Sequence, residues 1–156
     1  MIFSMNVRLA HHIARFLLGA MLLYMGLSKA GDPVNFLKLL REYGMLASPQ
    51  PLNLVAAWLP WWEMVCGLLL MANIALRGTA LIVAGMFLFF CVAILLRALE
   101  IQSAMGIAFC AVRFDCGCGA GEVNVCRKLL ENSAWFAISC WLLLSRHSAR
   151  KLFPWW

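Results

Sequence analysis

Residues 78–96 read GTALIVAGMFLFFCVAILL, nineteen residues without a charge, bounded by Arg77 and Arg97. A helix needs roughly 20 residues to cross about 30 Å of hydrocarbon. Backbone polar groups in that medium must be satisfied within the segment, which restricts a single run of this kind to a helix. The rest of the chain agrees. Of its 156 residues 64% are hydrophobic and 13% charged, and the mean hydropathy is +0.85. A soluble domain carries about 25% charged residues, and a chain this short has a large surface to cover with them. The composition therefore excludes a water-soluble globule and implies an integral membrane protein.

Three further spans are expected. One covers about 53–76 and is interrupted by Pro60 and Glu63; one covers about 13–28; the last, about 129–145, contains SAWFAISCWLLL. The first thirty residues also show the basic, apolar and small-residue order of a signal peptide, closing on Ser28-Lys29-Ala30. The expectation is that they are retained as a span. Ile101–Val112 is too short to cross and is expected to extend the third helix, to re-enter or to lie at the interface. After the first span, Asp32-Pro33 signals a helix start. Phe36, Leu37 and Leu40, with Met45 and Leu46 beyond them, alternate with Lys38, Arg41 and Glu42, giving a short amphipathic helix at the interface that ends near Gly44. The fold class is thus all-α: one domain over 1–156, a four-transmembrane-helix bundle.

Charge sets the expected orientation. The N-terminal segment, the Arg77 turn and the tail after Ser145 hold Arg8, Arg15, Arg77, Arg146, Arg150 and Lys151 and no acidic residue. Their positive charges sit close to span ends, which favours N-in and C-in. The net charge of +6 then reads as topology and attraction to anionic lipid, not as nucleic-acid binding. Both longer loops, about 29–52 and 97–128, fall on the outer face, in a bacterium the periplasmic side of the inner membrane, where disulfides persist.

The outer loop contains FDCGCGAGEVNVC, residues 114–126. Cys66, Cys91 and Cys140 lie in apolar helical runs and read as small hydrophobes. Cys110, Cys116, Cys118 and Cys126 cluster around the loop. A Cys116–Cys118 bridge needs a bent backbone, which Gly117 permits. Strained, exposed bridges have more oxidising potentials, so the pair suits electron exchange better than stapling. Arg113, Arg127 and Lys128 favour a thiolate while Asp115 opposes it. Cys126, at the start of the last helix, is a candidate to resolve a mixed disulfide formed at Cys116 or Cys118. The rival chemistry is a four-thiolate site in the pattern C-x5-C-x-C-x7-C, which departs from the usual C-x2-C spacing; no metal is assigned. Inert or structural thiols are the third reading.

Glu63 is an ionisable residue inside a span, with Cys66 on the same helical face. It is either a polar wall or proton relay for a small carrier such as a quinone, or a structural partner for Lys29, Ser28 or Arg97.

Gly26-Leu27-Ser28-Lys29 with Asp32-Pro33, Tyr43-Gly44, Leu59-Pro60 with Glu63, and Asp115-Cys116-Gly117-Cys118-Gly119 together resemble the MauE/DoxX family of four-helix membrane proteins over roughly residues 8–145. The resemblance implies thiol–disulfide chemistry in the cell envelope, with the working pair at Cys116 and Cys118 and the intramembrane acid at Glu63. MauE is associated with maturation of a disulfide-rich enzyme subunit, and some DoxX relatives with thiosulfate:quinone oxidoreduction. The family often reads CGCFG, whereas here Gly119-Ala120-Gly121 follows, with an added Cys126. The expected function is that of a thiol–disulfide oxidoreductase working with a thioredoxin-like or disulfide-containing protein, or with quinone as cofactor. The alternative is a non-catalytic subunit or assembly factor with structural cysteines.

Overall fold

A computed structural model describes residues 2–44, 48–115 and 121–145. Helices α1 (Ile2–Gly31), α2 (Pro33–Glu42), α3 (Pro49–Ala72) and α4 (Leu76–Met105) come first. A 3-10 turn (Phe109–Ala111), strands β1 (Arg113–Asp115) and β2 (Glu122–Asn124), and helix α5 (Val125–Leu144) follow. Val7–Gly31, Pro49–Ala72 and Leu76–Met105 are long and apolar enough to cross a membrane. The expected fourth span forms as a helix but is not among them, because Arg127, Lys128 and Glu131 occupy its first two turns.

The helix ends follow local chemistry. Asp32 accepts a hydrogen bond from the Asn35 amide at 3.0 Å and Pro33 opens α2, so α1 and α2 break where the sequence indicates. The predicted second span runs past the actual end of α3. Asn73 adopts the left-handed conformation at φ 60° and closes the helix, and the short turn through Ala75 starts α4. Asparagine is among the few residues that visit this region readily. α4 continues through Ile101 to Met105 until Gly106, at φ 64°, ends it. Of the expectations for Ile101–Val112, extension of the third helix therefore holds for its first part, and a 3-10 turn takes the rest.

α1 packs chiefly on α3, and α4 on α5. The first pair is held at close range by glycine. A Cβ built on Gly19 would lie 2.8 Å from the Gly67 carbonyl oxygen, one on Gly67 2.7 Å from the Gly19 carbonyl, and one on Gly26 2.6 Å from that of Pro60. Small residues that let backbones approach are how helices gain packing energy where lipid removes the hydrophobic drive. Leu18, Leu22, Cys66, Leu70, Leu76, Ala80, Val83, Phe87 and Leu142 form the core between the helices. Leu81, Ile82, Leu88, Phe89, Leu95 and Leu96 face outward on α4, a surface suited to acyl chains. Ala98, Val112 and Val125 make a second, smaller core beneath the hairpin.

Gly67→Ala should therefore force α1 and α3 apart and lower bundle stability by about 1–3 kcal/mol, the usual cost of overpacking. Gly85→Ala, where nothing lies within 4 Å, should cost nothing. Thermal unfolding in detergent, read by circular dichroism, distinguishes the two.

Candidate functional site

The loop between α4 and α5 is a stapled hairpin. β1 and β2 pair antiparallel with Arg113 opposite Asn124, Phe114 opposite Val123 and Asp115 opposite Glu122. The pairing ends at Asp115 opposite Glu122. Cys116, Gly117 and Cys118 lie outside the described residues, and their assigned roles remain expectations from the sequence. The flanking residues define what carries them.

At the base, Cys110 on the 3-10 turn is joined to Cys126 in the first turn of α5, with Cα atoms 5.2 Å apart and a sequence separation of 16. The Val125 amide donates to the Val112 carbonyl at 3.2 Å. Asn124 serves both sides: its amide nitrogen donates to the Cys110 carbonyl, and its Oδ1 caps α5 by accepting from the Arg127 amide at 3.2 Å. In this state Cys126, the candidate resolver, offers no free thiol. Cys66, Cys91 and Cys140 are free and sit in the helices, as their apolar surroundings suggest. Among the described residues no group of three or more His, Cys, Asp or Glu side chains could hold a metal ion.

The hairpin docks on the amphipathic helix. Tyr43, the residue that caps α2, meets the Phe114 ring edge-on, with centroids 5.9 Å apart and planes at 81°. Burial pushes the Tyr43 phenol well above its ordinary range; the neighbouring Asp115 carboxylate raises it further, and Arg97 partly opposes this. The raised value means the docked arrangement holds the neutral phenol. It is fully stable below the ordinary tyrosine pKa of about 10 and weakens as pH rises past that point.

Beneath this platform lies Lys29–Glu63. The Lys29 ammonium is 2.7 Å from each carboxylate oxygen of Glu63, and the two side chains are 5% and 0% exposed. The Phe36 ring of α2 and the Phe90 ring of α4 lie 5.7 and 5.8 Å from Nζ. Of the structural partners considered for Glu63, Lys29 is the one it meets; Arg97 instead pairs with Glu100 at 2.9 Å. Both Glu63 oxygens are engaged by one ammonium in a closed environment, so the pair acts first as a pin between α1 and α3. Cys66 lies one turn further along the same face, also buried.

Sequence reasoning did not find the Cys110 pairing or the Tyr43–Phe114 contact. A signal for the first existed: Cys110 and Cys126 bracket the CGC pair from both sides, the nesting expected of a hairpin with its pair at the tip. His11, given no site from sequence, is buried and hydrogen-bonded to Ser145 Oγ at 3.0 Å, tying α1 to the end of α5.

A family model described as "Methylamine utilisation protein MauE" matches residues 7–145. No curated protein and no solved structure matches the chain.

Two outcomes follow. Replacing Glu63 by Gln or Lys29 by Met alone should destabilise the bundle by about 3–5 kcal/mol, since each leaves a buried charge unpaired, while the Lys29→Met/Glu63→Leu double variant should recover most of that loss; thermal unfolding of all three measures it. Tyr43→Ala should speed amide exchange in Phe114 and Val123 about tenfold, and Tyr43→Phe, which keeps the ring edge, should leave it unchanged; hydrogen-exchange mass spectrometry reads both.

Proposed function

We propose that this chain, which belongs to the methylamine utilisation protein MauE family, exchanges disulfides with a protein partner at one membrane face through Cys116 and Cys118. The observation that carries this reading is the ladder Arg113–Asp115 with Glu122–Asn124, which makes the CGC segment the connection of a hairpin whose base is already locked by Cys110–Cys126. With the base stapled by Cys110–Cys126, a Cys116–Cys118 bond is not needed to hold the strands together. A groove of mixed charge, lined by Arg113, Glu122, Asn124, Arg127, Lys128 and Glu131, runs beside the hairpin and suits a polar protein surface.

In the exchange, a partner thiolate attacks one sulfur of an oxidised Cys116–Cys118 bond and forms a mixed disulfide. The partner's second thiolate then attacks the partner sulfur of that bond, expels the CGC sulfur as a thiolate, and the partner departs as a disulfide. The CGC pair is left as a dithiol, having taken two electrons and two protons. Reoxidation passes both to an acceptor of the quinone class, which becomes quinol. In the reverse direction, where a reduced CGC pair attacks a partner disulfide, the other CGC cysteine resolves the mixed disulfide and leaves the partner as a dithiol, while Cys126 stays bonded to Cys110. Asp115 and Gly117 shape the pair's surroundings, and Lys29–Glu63 holds the platform under it.

The arrangement we favour in the membrane has four spans, both termini inside and the hairpin outside, facing the periplasm of a bacterial inner membrane. α5 begins at the hairpin and ends where Ser145 meets His11 near the start of α1. Its 20 residues extend about 30 Å, enough to run the depth of the bundle beside α4. The second reading is a non-catalytic assembly subunit, and the Cys110–Cys126 staple is the observation that favours it.

Mixing the purified full-length protein with reduced thioredoxin as the dithiol probe separates these. Exchange through the tip predicts that probe thiols are consumed as Cys116–Cys118 opens, and that Cys116→Ser/Cys118→Ser abolishes consumption while Cys110–Cys126 persists by mass spectrometry. A protein that consumes no thiol, with every loop cysteine locked against mild reductant, is the assembly subunit.

A further inference from the structure

The end of the bundle opposite the hairpin has a polar site that the redox reading does not use. Arg15 lies on the inward stripe of α1 that also carries His11, Leu18, Leu22 and Lys29, and its side chain is only 5% exposed. Its Nη2 meets His12 Nδ1 at 3.3 Å, but its Nε is buried with no hydrogen-bond partner among the described residues. The other buried side-chain atom in that condition is Asn73 Oδ1, at the left-handed cap of α3.

The helix register relates these two residues. α1 and α3 run antiparallel, with Gly26 against Pro60 and Met64, and Gly19 against Gly67 and Met71. Extending that register by one turn sets Arg15 against residues 71–75, which include Asn73. By this register an unsatisfied donor and an unsatisfied acceptor, each costly to leave buried, lie at the same level of the bundle. Arg8 and Arg77 lie at this end as well, and no Asp or Glu occurs in residues 1–31 or 64–99.

We propose that Arg15 and Asn73 bind the phosphodiester headgroup of an anionic glycerophospholipid. Arg15 Nε donates to a phosphate oxygen, and Asn73 Oδ1 accepts from a headgroup hydroxyl. A donor set of this kind ranks lipids by chemistry. Phosphatidylglycerol supplies both the negative charge and the hydroxyl; phosphatidylethanolamine supplies a donor without net charge; phosphatidylcholine supplies neither. Basic pockets between membrane helices recognise headgroups on these terms.

The test is the lipid retained by the full-length protein after extraction from vesicles of equal phosphatidylglycerol, phosphatidylethanolamine and phosphatidylcholine, measured by native mass spectrometry. The site predicts enrichment of phosphatidylglycerol over phosphatidylcholine of about fivefold, the factor expected for one basic contact near the surface. Arg15→Gln should abolish the enrichment, and Arg113→Gln at the hairpin end should leave it intact. Asn73→Gly keeps the left-handed cap and removes Oδ1, so it tests the acceptor even if Arg15→Gln fails to fold; it should reduce the preference for phosphatidylglycerol. Retained lipid that mirrors the vesicle mixture, or enrichment indifferent to both Arg15→Gln and Asn73→Gly, overturns the assignment. Displacement of the lipid by millimolar inorganic phosphate would assign the site to free phosphate and overturn the lipid as its occupant.

Discussion

The ion pair between Lys29 and Glu63 is the interaction on which the rest of the structure hangs. Two charges 2.7 Å apart in a site 5% and 0% exposed attract far more strongly than they would in water, and separating them would leave each stranded in hydrocarbon. The pair therefore fixes the register of α1 on α3. Gly19 and Gly67 let the backbones close to the distance at which that register works. Phe36 and Phe90 bring α2 and α4 against the same ammonium, so four helices meet at one point just below the hairpin.

From that point the order of the hairpin end follows. α2 is held by Phe36 and by its Asp32 cap, and its last residue is followed by Tyr43, which receives Phe114. The small core of Ala98, Val112 and Val125 supports the hairpin from beneath, and Cys110–Cys126 closes its base. Two three-residue strands could not stay paired in water alone; here they are pinned by a disulfide, a ring contact and a double-duty asparagine. The hairpin is thereby a firm mount, and its connection is where the proposed exchange chemistry is assigned. The opposite end, with Arg15 and Asn73, faces a different task, seating the bundle among anionic lipids.

Much of this was legible in the sequence, and the reasons differ by element. The charge-free run from Gly78 to Leu96 implied a span because hydrocarbon permits little else. Asp32-Pro33 announced α2 because both residues act through local backbone geometry. Glu63 could be singled out because a carboxylate inside a span needs a partner, and Lys29 was among the few on offer. Helix ends were less legible: Asn73 ended α3 before the hydrophobic run did, and Ile101–Met105 stayed helical because Gly106 was the first residue to stop it. The strands were invisible, since three residues are too few to show alternation. Cys110–Cys126 and Tyr43–Phe114 join residues far apart in the chain, and only the packed fold brings such partners together. The same holds for His11 and Ser145.

In the proposed function, the hairpin presents a working cysteine pair to an outer compartment. Labelling intact cells with a membrane-impermeant maleimide, before and after mild reduction, tests it most directly. Wild-type protein should gain label on reduction without breaking the membrane, and Cys116→Ser/Cys118→Ser should gain none. Label that enters only after the membrane is broken, or a pair found in one redox state under every condition, would contradict it.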